Sequence, residues 1–371
     1  MKPFLLLAVI LSGGTAMAFN VTFSVTAPAG TEKLFITGNC RNLGDWNPGQ
    51  VEMTKTGQVF QFSTTLEGKI EYKYTKGSWD GVEKDGKGQE IGNRTLEITA
   101  DMVIKDAVAV FSDTAKAKPK KSLTGSIELI ETLKYKLIVY LPPGYRRSKK
   151  NYPVFYLQDG QNLFDASTSF MGVEWGCDET AEKLIKLKKV EPLIMVGIYN
   201  SSERISDYTA FPDQKNGGGK ADPYLDFIVK SAMPFINSHY RVKSGPENCG
   251  IGGSSLGGIF SLYAAFSHPE LFGKCAVISP SLWWADRAIL KWLSGKGPGK
   301  IWLDMGDQEG EPGEEAVQSI LNLRSLKEKL IGIGYAESDL SYLEVKNAAH
   351  NEAAWAARFD RVLSFLFPAL E

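Results

Sequence analysis

The pattern of apolar and polar residues changes once along the chain. Between residues 19 and 110, apolar and polar positions alternate in short runs that are separated by Gly, Pro, Asn and Asp. Alternation with a period of two is typical of half-buried strands in antiparallel sheets. This part of the chain therefore predicts a small antiparallel β-sandwich, with strands at NVTFSVTA, EKLFITGN, QVFQFSTTL, IEYKYTKG and RTLEITA.

Residues 126–371 show a different pattern, in which short apolar runs alternate with amphipathic segments. Apolar runs of this kind are expected of parallel strands buried on both faces, with helices between them. The prediction is an α/β fold: an α/β domain with a mostly parallel central sheet, preceded by the sandwich. The strand candidates are SIELI, YKLIVYLP, YPVFYLQDG, PLIMVGIYN, ENCGIGG, CAVISP, KIWLDMG and DLSYLEVK.

Two further segments are predicted to lie outside both domains. Residues 1–18 combine Lys2, an apolar run and Ala16-Met17-Ala18, which is typical of a signal peptide cleaved after Ala18. The apolar run is too short to span a bilayer, so the mature protein is expected to be secreted or periplasmic. Residues 111–125 hold lysines among Ala, Pro and Thr without an apolar period, so they are interpreted as a solvated linker rather than as an anion-binding patch.

Composition excludes some classes of partner. The formal net charge is -1, which gives no electrostatic case for binding nucleic acid or an anionic membrane. The four cysteines are too few for a disulfide scaffold, and Cys249 and Cys275 are left open as one disulfide or two buried thiols.

The sequence NCGIGGSSLGG, at residues 248–258, places Ser255 at the centre of a G-x-S-x-G pattern. A predicted strand precedes this pattern and an apolar helix follows it, which is the context of a nucleophile elbow. Such a turn holds a serine hydroxyl clear of neighbouring side chains so that it can attack a carbonyl carbon. The alternative is a Gly/Ser-rich loop without chemistry.

Chain order selects the partners of Ser255. Only three histidines are present, and His350 alone follows the last predicted strand, as the order serine, acid, histidine requires. The acid is expected after the strand KIWLDMG, where both Asp307 and Glu309 are candidates. The backbone amides of Leu256 and Gln161 are the candidate oxyanion donors. No H-E-x-x-H pattern or paired Cys/His spacing is present, so neither a metal nor a cofactor is predicted.

The ensemble of motifs resembles the putative-esterase family of α/β-hydrolases, which includes enterochelin esterases, feruloyl esterases, S-formylglutathione hydrolase and mycolyltransferases. The resemblance implies catalytic roles for Ser255 and His350, oxyanion donation by Gln161 and Leu256, and Glu309 rather than Asp307 as the acid. The motifs that carry it are QDGQNLFD, EWGCDET, GIYNSSERISDYTAF, GIGGSSLGGIFSLYAAFSHPELFG, SPSLWW, GDQEG and AAHNEAAWAAR.

The same resemblance indicates a substrate pocket. Arg204 and Tyr208 belong to a loop that lines the acyl or alcohol pocket in relatives, and Arg204 is expected either to hold a substrate anion or to tie down the loop through Asp207. Of the two tryptophans Trp283 and Trp284, Trp284 is assigned to the pocket wall, and core packing is the alternative.

The first domain resembles family-20 starch-binding modules. The resemblance rests on the turn LGDWNP, the loop GSWD and the pair Asn93-Arg94. It implies that Trp46 and Trp79 form a stacking platform for sugar rings, with Glu83 or Lys76 as polar neighbours. The alternative is that Trp46 only stabilises the sandwich.

These observations predict an exported serine carboxylesterase that acts on a small-molecule or polysaccharide-linked ester, of feruloyl or acetyl type. The first domain would then contact a glucan. A periplasmic siderophore esterase of enterochelin type and a non-catalytic carbohydrate-binding protein are the alternatives. Acyl transfer instead of hydrolysis stays open, because it depends on which acceptor reaches the acyl-enzyme.

Overall fold

The computed structural model describes residues 18–57, 59–86, 91–112, 123–310 and 313–369. Residues 1–17 of the predicted signal peptide and most of the predicted linker lie outside these ranges. The chain divides into two compact units, Met1–Lys118 and Pro119–Glu371. Within the described ranges, no helix has the length and apolar character that crossing a membrane requires.

The first unit is a β-sandwich, as the alternating pattern predicts. Its two four-stranded sheets have the orders β4-β5-β1-β9 and β3-β2-β6-β8, and β10 pairs with β7. Apolar side chains from both sheets, among them Phe23 and Tyr72, share one core. The strands are β1 (Phe19–Thr26), β2 (Phe35–Gly38), β3 (Val51–Glu52), β4 (Thr54–Thr56), β5 (Val59–Leu66), β6 (Gly68–Thr75), β7 (Glu83–Lys84), β8 (Arg94–Ile98), β9 (Met102–Ala107) and β10 (Val110–Phe111).

Two details of this unit differ from the sequence prediction. The strand β9 was not anticipated, and it pairs with β1 in parallel, whereas the other pairs of the two sheets are antiparallel. Phe111, which the sequence placed in the linker, pairs with Glu83 and is buried in the sandwich core. Burial of a phenylalanine ring outweighs the loop-like composition of the residues that follow it.

The second unit contains one eight-stranded sheet with the order β11-β12-β14-β13-β15-β16-β17-β18. The pairs β11–β12 and β12–β14 are antiparallel, and all later pairs are parallel. The α/β fold class is therefore confirmed. The strands are β11 (Ser126–Ile130), β12 (Leu137–Leu141), β13 (Val154–Gln158), β14 (Ile194–Ile198), β15 (Cys249–Ser254), β16 (Lys274–Ile278), β17 (Lys300–Gln308) and β18 (Leu340–Ala349).

Helices cover both faces of this sheet, as shown by two separate apolar cores. One π-helical turn joins α3 to α4, and α6 is interrupted by residues with left-handed backbone angles. The helices are α1 (Cys177–Lys186), α2 (Arg204–Asp207), α3 (Ala221–Phe227), α4 (Met233–His239), α5 (Leu256–Ser267), α6 (Trp284–Trp292), α7 (Glu314–Gly332), α8 (Glu352–Ala356) and α9 (Phe359–Leu366).

The parallel register brings the candidate site residues to one edge of the sheet. Ser254, which ends β15, lies opposite Ile278 of β16, and Gln308 of β17 lies opposite Ala349 of β18. The residues that follow these positions, Ser255, Glu309 and His350, therefore leave the sheet at the same carboxyl edge. Ligand sites in open α/β sheets form at this edge.

Candidate active site

Ser255 stands on a strained turn between β15 and α5. Its backbone angles are φ 59° and ψ -124°, which a residue with a side chain rarely adopts. A Cβ atom on Gly257 would lie 3.0 Å from Gln158 Cβ, and one on Gly253 would lie 2.9 Å from the same atom. Glycine at both positions lets the turn pack directly against β13. This is the geometry that the G-x-S-x-G pattern predicts.

The hydroxyl of Ser255 has a partner that the sequence analysis missed. Ser255 Oγ lies 3.1 Å from Ser281 Oγ, and the amide of Ser281 donates to the carbonyl oxygen of Ser255 at 3.1 Å. Among the described residues, no hydrogen bond joins Ser255 to His350. The motif SPSLWW contained the signal, because its second serine lies just beyond the end of β16.

His350 and Glu309 form a direct pair. The distance from His350 Nδ1 to Glu309 Oε2 is 2.8 Å, and the glutamate is 2% exposed. Glu309 Oε1 also accepts hydrogen bonds from Ser279 Oγ at 2.5 Å and from the Gly306 amide at 2.6 Å. Burial by itself raises the pKa of Glu309, but these hydrogen bonds and the charge of His350 bring its pKa below the usual value. The carboxylate is therefore ionised where it meets the imidazole.

Asp307, the other candidate acid, forms no hydrogen bond or ion pair with His350 among the described residues. Its Oδ1 accepts a hydrogen bond from the Asn347 amide at 2.6 Å. The β17–β18 register shifts between Gly306 and Gln308, so Asp307 and Glu309 have different surroundings. Of the two acids, the structure brings only Glu309 to the imidazole.

The turn that carries Gln161 is held by Asp159, whose role the sequence analysis also missed. Arg204 binds both carboxylate oxygens of Asp159 at 2.8 and 2.7 Å, and Asn200 Nδ2 donates to the same group at 2.7 Å. A Cβ atom on Gly257 would lie 3.6 Å from Asp159 Oδ2, so the start of α5 lies beside this turn.

The two candidate oxyanion donors therefore belong to neighbouring turns. The amide of Leu256 is the first of α5, and the amide of Gln161 follows Asp159-Gly160. Gln161 lies in the short 3₁₀ turn Gly160–Asn162. Among the described residues, the amides of Leu256 and Gln161 donate to no backbone carbonyl outside α5 and this turn. Amides without acceptors at a helix start can donate to an anion.

Of the two alternatives for Arg204, the one in which it ties down its loop through Asp207 is wrong. The guanidinium binds Asp159, while Asp207 accepts from Tyr135 at 3.0 Å and from Ser201 at 2.8 Å. Burial disfavours the charged guanidinium, but the neighbouring Asp159 carboxylate raises the pKa of Arg204 above its usual value. Paired in this way, Arg204 fixes the Gln161 turn.

The other predicted pocket residues are buried. Tyr208 is 1% exposed, and its hydroxyl accepts from the Asp159 amide at 3.0 Å. Trp284 is 4% exposed and donates from its indole to the Phe211 carbonyl at 2.7 Å. Tyr208 and Trp284 line one small apolar pocket, whereas the neighbouring Trp283 is 54% exposed.

In the first unit, two loops bring Trp46 and Trp79 together. The ring centroids are 6.5 Å apart with an interplanar angle of 34°, and both side chains are half-buried. A Cβ atom on Gly49 would lie 2.7 Å from the Gly77 carbonyl oxygen, so the two loops touch. Glu83, considered above as a polar neighbour for sugar, is instead 1% exposed and bound to Arg94 at 2.8 Å.

Family models and curated relatives match this architecture. Residues 132–366 match the model described as putative esterase, and residues 18–108 match the model described as starch binding domain. The uncharacterized protein YbbA of Bacillus subtilis (strain 168) is 27% identical over 258 residues, which cover 66% of this chain and 97% of YbbA. A siderophore enterobactin esterase of Emericella nidulans is 31% identical over 110 residues, which cover 27% of this chain and 36% of that esterase.

A solved structure shares the fold of the chain. The enterochelin esterase from Shigella flexneri is 15% identical with a TM-score of 0.53, and the alignment covers 95% of this chain and 93% of that one. At this identity the likeness concerns the fold alone. The esterase model spans well over half of the sequence, and the chain therefore belongs to the putative esterase family, as a hydrolase that acts on ester bonds.

Proposed function

We propose that the protein is an exported serine carboxylesterase that forms an acyl-enzyme on Ser255. The observation that carries this proposal is the 2.8 Å contact between His350 Nδ1 and buried Glu309, at the sheet edge where Ser255 leaves β15. A carboxylate in that place fixes the imidazole tautomer, so that Nε2 is the atom free to accept a proton. Export is supported by the signal-peptide pattern of residues 1–18.

In the first step, Ser255 Oγ attacks the ester carbonyl carbon while its proton passes to His350 Nε2. This step requires the Ser255 hydroxyl to exchange its hydrogen bond with Ser281 for one with His350. The negative charge that develops on the carbonyl oxygen is stabilised by the amides of Leu256 and Gln161. Glu309 stabilises the imidazolium that forms.

In the second step, the carbon–oxygen bond to the leaving alcohol breaks and the alcohol takes the proton from His350. Water then attacks the acyl-enzyme and gives a proton to the same imidazole. The bond between the acyl carbon and Ser255 Oγ breaks, Oγ takes that proton back from His350, and the carboxylic acid leaves. The residues named supply a nucleophile, a base and an oxyanion site, so this reaction requires no cofactor.

The substrate class that we favour is an acyl group, of feruloyl or acetyl type, linked to a carbohydrate. The first unit supports this assignment, because it matches a starch-binding domain model and holds Trp46 and Trp79 side by side. Tryptophan faces suit sugar rings, since the C–H face of a pyranose is apolar. The first unit would hold the polymer while the second cleaves the ester.

A siderophore ester is the second candidate. It is favoured by the relative from Emericella nidulans, a siderophore enterobactin esterase. The chemistry at Ser255 would be the same on a cyclic trilactone, and the sugar platform would have no part in it.

The Trp46→Ala variant separates these two substrate classes. We expect the full-length variant to bind an insoluble glucan about thirty-fold more weakly, since loss of a well-placed aromatic costs about 2 kcal/mol. Hydrolysis of acyl groups attached to the polymer should fall, while hydrolysis of soluble aryl esters should stay unchanged. The measurements are pull-down isotherms and initial rates on matched polymeric and soluble esters.

Trp283→Ala is the matched control, because Trp283 is an exposed tryptophan of the other unit. It should leave glucan binding unchanged. If the wild-type chain binds no glucan or plant-wall polymer and cleaves an enterochelin-type trilactone faster than sugar esters, the siderophore assignment replaces the carbohydrate one.

A further inference from the structure

Arg358 is a buried cation beneath the His350–Glu309 pair. The arginine is 2% exposed, and the two carboxylates near it, Asp304 and Glu309, are 0% and 2% exposed. Its guanidinium binds Asp304 Oδ1 at 2.8 and 2.9 Å and lies 3.5 Å from Glu309 Oε1. It also donates to the Ala354 carbonyl at 3.0 Å, which fixes its orientation.

Ser279 links this arginine to Glu309. The Ser279 hydroxyl oxygen accepts from Arg358 Nη2 at 2.5 Å and from the Trp355 indole at 2.9 Å. A hydroxyl has two acceptor positions and one hydrogen, so both acceptor positions are filled. The hydrogen is left for Glu309 Oε1, which lies 2.5 Å away. Ser279 can therefore only donate to Glu309 Oε1, which keeps a proton off that oxygen and favours the ionised carboxylate.

Arg358, Asp304 and Glu309 form a buried cluster of charged groups, and Arg358 is its positive member. In the resting site, the buried Arg358 guanidinium faces the buried carboxyl groups of Asp304 and Glu309. Burial raises the pKa of Asp304, and the charge and hydrogen bonds of Arg358 oppose that shift. With both carboxyl groups ionised, protonation of His350 during acyl transfer would balance the charges. Other charged groups nearby are engaged elsewhere: Asp307 accepts from the Asn347 amide, and Glu352 of α8 accepts from Asn162 at 3.3 Å. Arg358 is thus the cation that offsets Asp304.

We propose that Arg358 is a positioning residue that acts through Ser279 to keep Glu309 ionised and directed at His350, with Asp304 as its counter-charge. This inference rests on the proposed function, in which Glu309 and His350 serve Ser255. Arg358 contacts neither the reacting serine nor the oxyanion turn, so its effect on the reaction passes through Glu309.

Loss of the guanidinium would leave two neighbouring buried carboxylates without a cation. Like charges raise the pKa of a carboxyl group, so Glu309 would hold a proton to higher pH. A protonated Glu309 cannot orient the imidazole as a base, so the enzyme stays inactive to a higher pH. The acidic limb of the rate profile therefore moves upward.

The test is the pH dependence of kcat/KM on p-nitrophenyl acetate for full-length variants. Arg358→Gln should shift the acidic limb upward by about one pH unit or more and lower the plateau. The double variant Asp304→Asn/Arg358→Gln, which removes both members of the ion pair, should move the limb back by more than half of that shift. Arg324→Gln is the matched control, because Arg324 forms an equally close but exposed pair with Glu344, and its profile should not move.

Two further variants separate charge from geometry. Arg358→Lys keeps the positive charge but loses the planar guanidinium group with its paired N–H donors. The acidic limb of its pH profile should stay near that of the wild type, while kcat falls about tenfold. Ser279→Ala removes the hydroxyl through which Arg358 acts and leaves every charge in place. It should lower kcat by about tenfold and shift the acidic limb of the pH profile less than Arg358→Gln does. If Arg358→Gln does not fold, Ser279→Ala still tests whether Arg358 acts on Glu309 through the Ser279 hydroxyl.

Wild-type pH profiles in Ser279→Ala and in the folded Arg358 variants, with the plateau unchanged, would overturn this inference. They would leave the proposed function standing provided that Ser255→Ala is inactive. A Ser255→Ala enzyme with full activity would instead overturn the proposed function itself, whatever the Arg358 variants show.

Discussion

Replacing Ser255 with alanine is expected to abolish ester hydrolysis, with kcat falling by about 10⁴- to 10⁶-fold. The change removes the attacking oxygen and leaves the oxyanion amides and the His350–Glu309 pair in place. Alanine keeps the Cβ atom of serine, so the strained turn at φ 59° is not altered further. The measurement is the turnover of p-nitrophenyl acetate, together with the thermal midpoint as evidence of an intact fold.

Ser281→Ala and Ser254→Ala are the controls, because both serines lie beside the candidate nucleophile. Ser281 is the one that matters most, since its Oγ lies only 3.1 Å from Ser255 Oγ. Both variants should retain activity within about tenfold of the wild type, because a lost neutral hydrogen bond costs only about 1 kcal/mol. Turnover by Ser255→Ala within that range, or loss of turnover in Ser281→Ala alone, would move the nucleophile away from Ser255.

The architecture of the second unit could be predicted because its strands are buried on both faces. Runs such as the LIVYL of β12 and the VFYLQ of β13 have every residue buried, which continuous apolar sequence indicates directly. The sandwich was less completely predicted. In β9, Val103 is 61% exposed beside half-buried Ile104, so apolar residues stand on both faces and the alternation is lost.

Chain order and motif spacing predicted the candidate catalytic residues of the site but not the long-range contacts that hold them. The elbow is local in sequence, so Ser255 and its flanking glycines give a clear signal. The pairing of Arg204 with Asp159 joins residues 45 positions apart, and that of Arg358 with Ser279 joins residues 79 apart. Such contacts depend on which strand ends are neighbours at the sheet edge. The apolar periodicity of the sequence predicts strands and helices but not the order of the strands in the sheet.

The choice between the two candidate acids was decided by a similar long-range feature. Asp307 and Glu309 both follow Gly306, and residue types alone do not distinguish them. In the structure, the register shift between Gly306 and Gln308 separates their surroundings. Glu309 is buried against the imidazole, while Asp307 binds a backbone amide of β18.

Glu309→Gln is expected to lower kcat by about 10³- to 10⁴-fold, whereas Asp307→Asn should stay within about tenfold of the wild type. Glu309 uses one oxygen for Ser279 and Gly306 and the other for His350 Nδ1. Glutamine has one oxygen, and if it faces those two donors, its NH₂ group meets Nδ1. The imidazole then carries its hydrogen on Nε2 and cannot accept a proton from Ser255.

Both variants remove one formal charge and change one atom, so the comparison isolates the position of the acid. The side chain introduced by Asp307→Asn would still offer an oxygen to the Asn347 amide, which in the wild type lies 2.6 Å from Asp307 Oδ1. The measurements are kcat on p-nitrophenyl acetate across the plateau of the pH profile and the ¹⁵N spectrum of His350, which reports its tautomer. A larger loss in Asp307→Asn would assign the acid to Asp307, and equal losses in the two variants would assign it to neither residue. Only a carboxylate that binds Nδ1 can set the tautomer of His350 on which proton transfer from Ser255 depends.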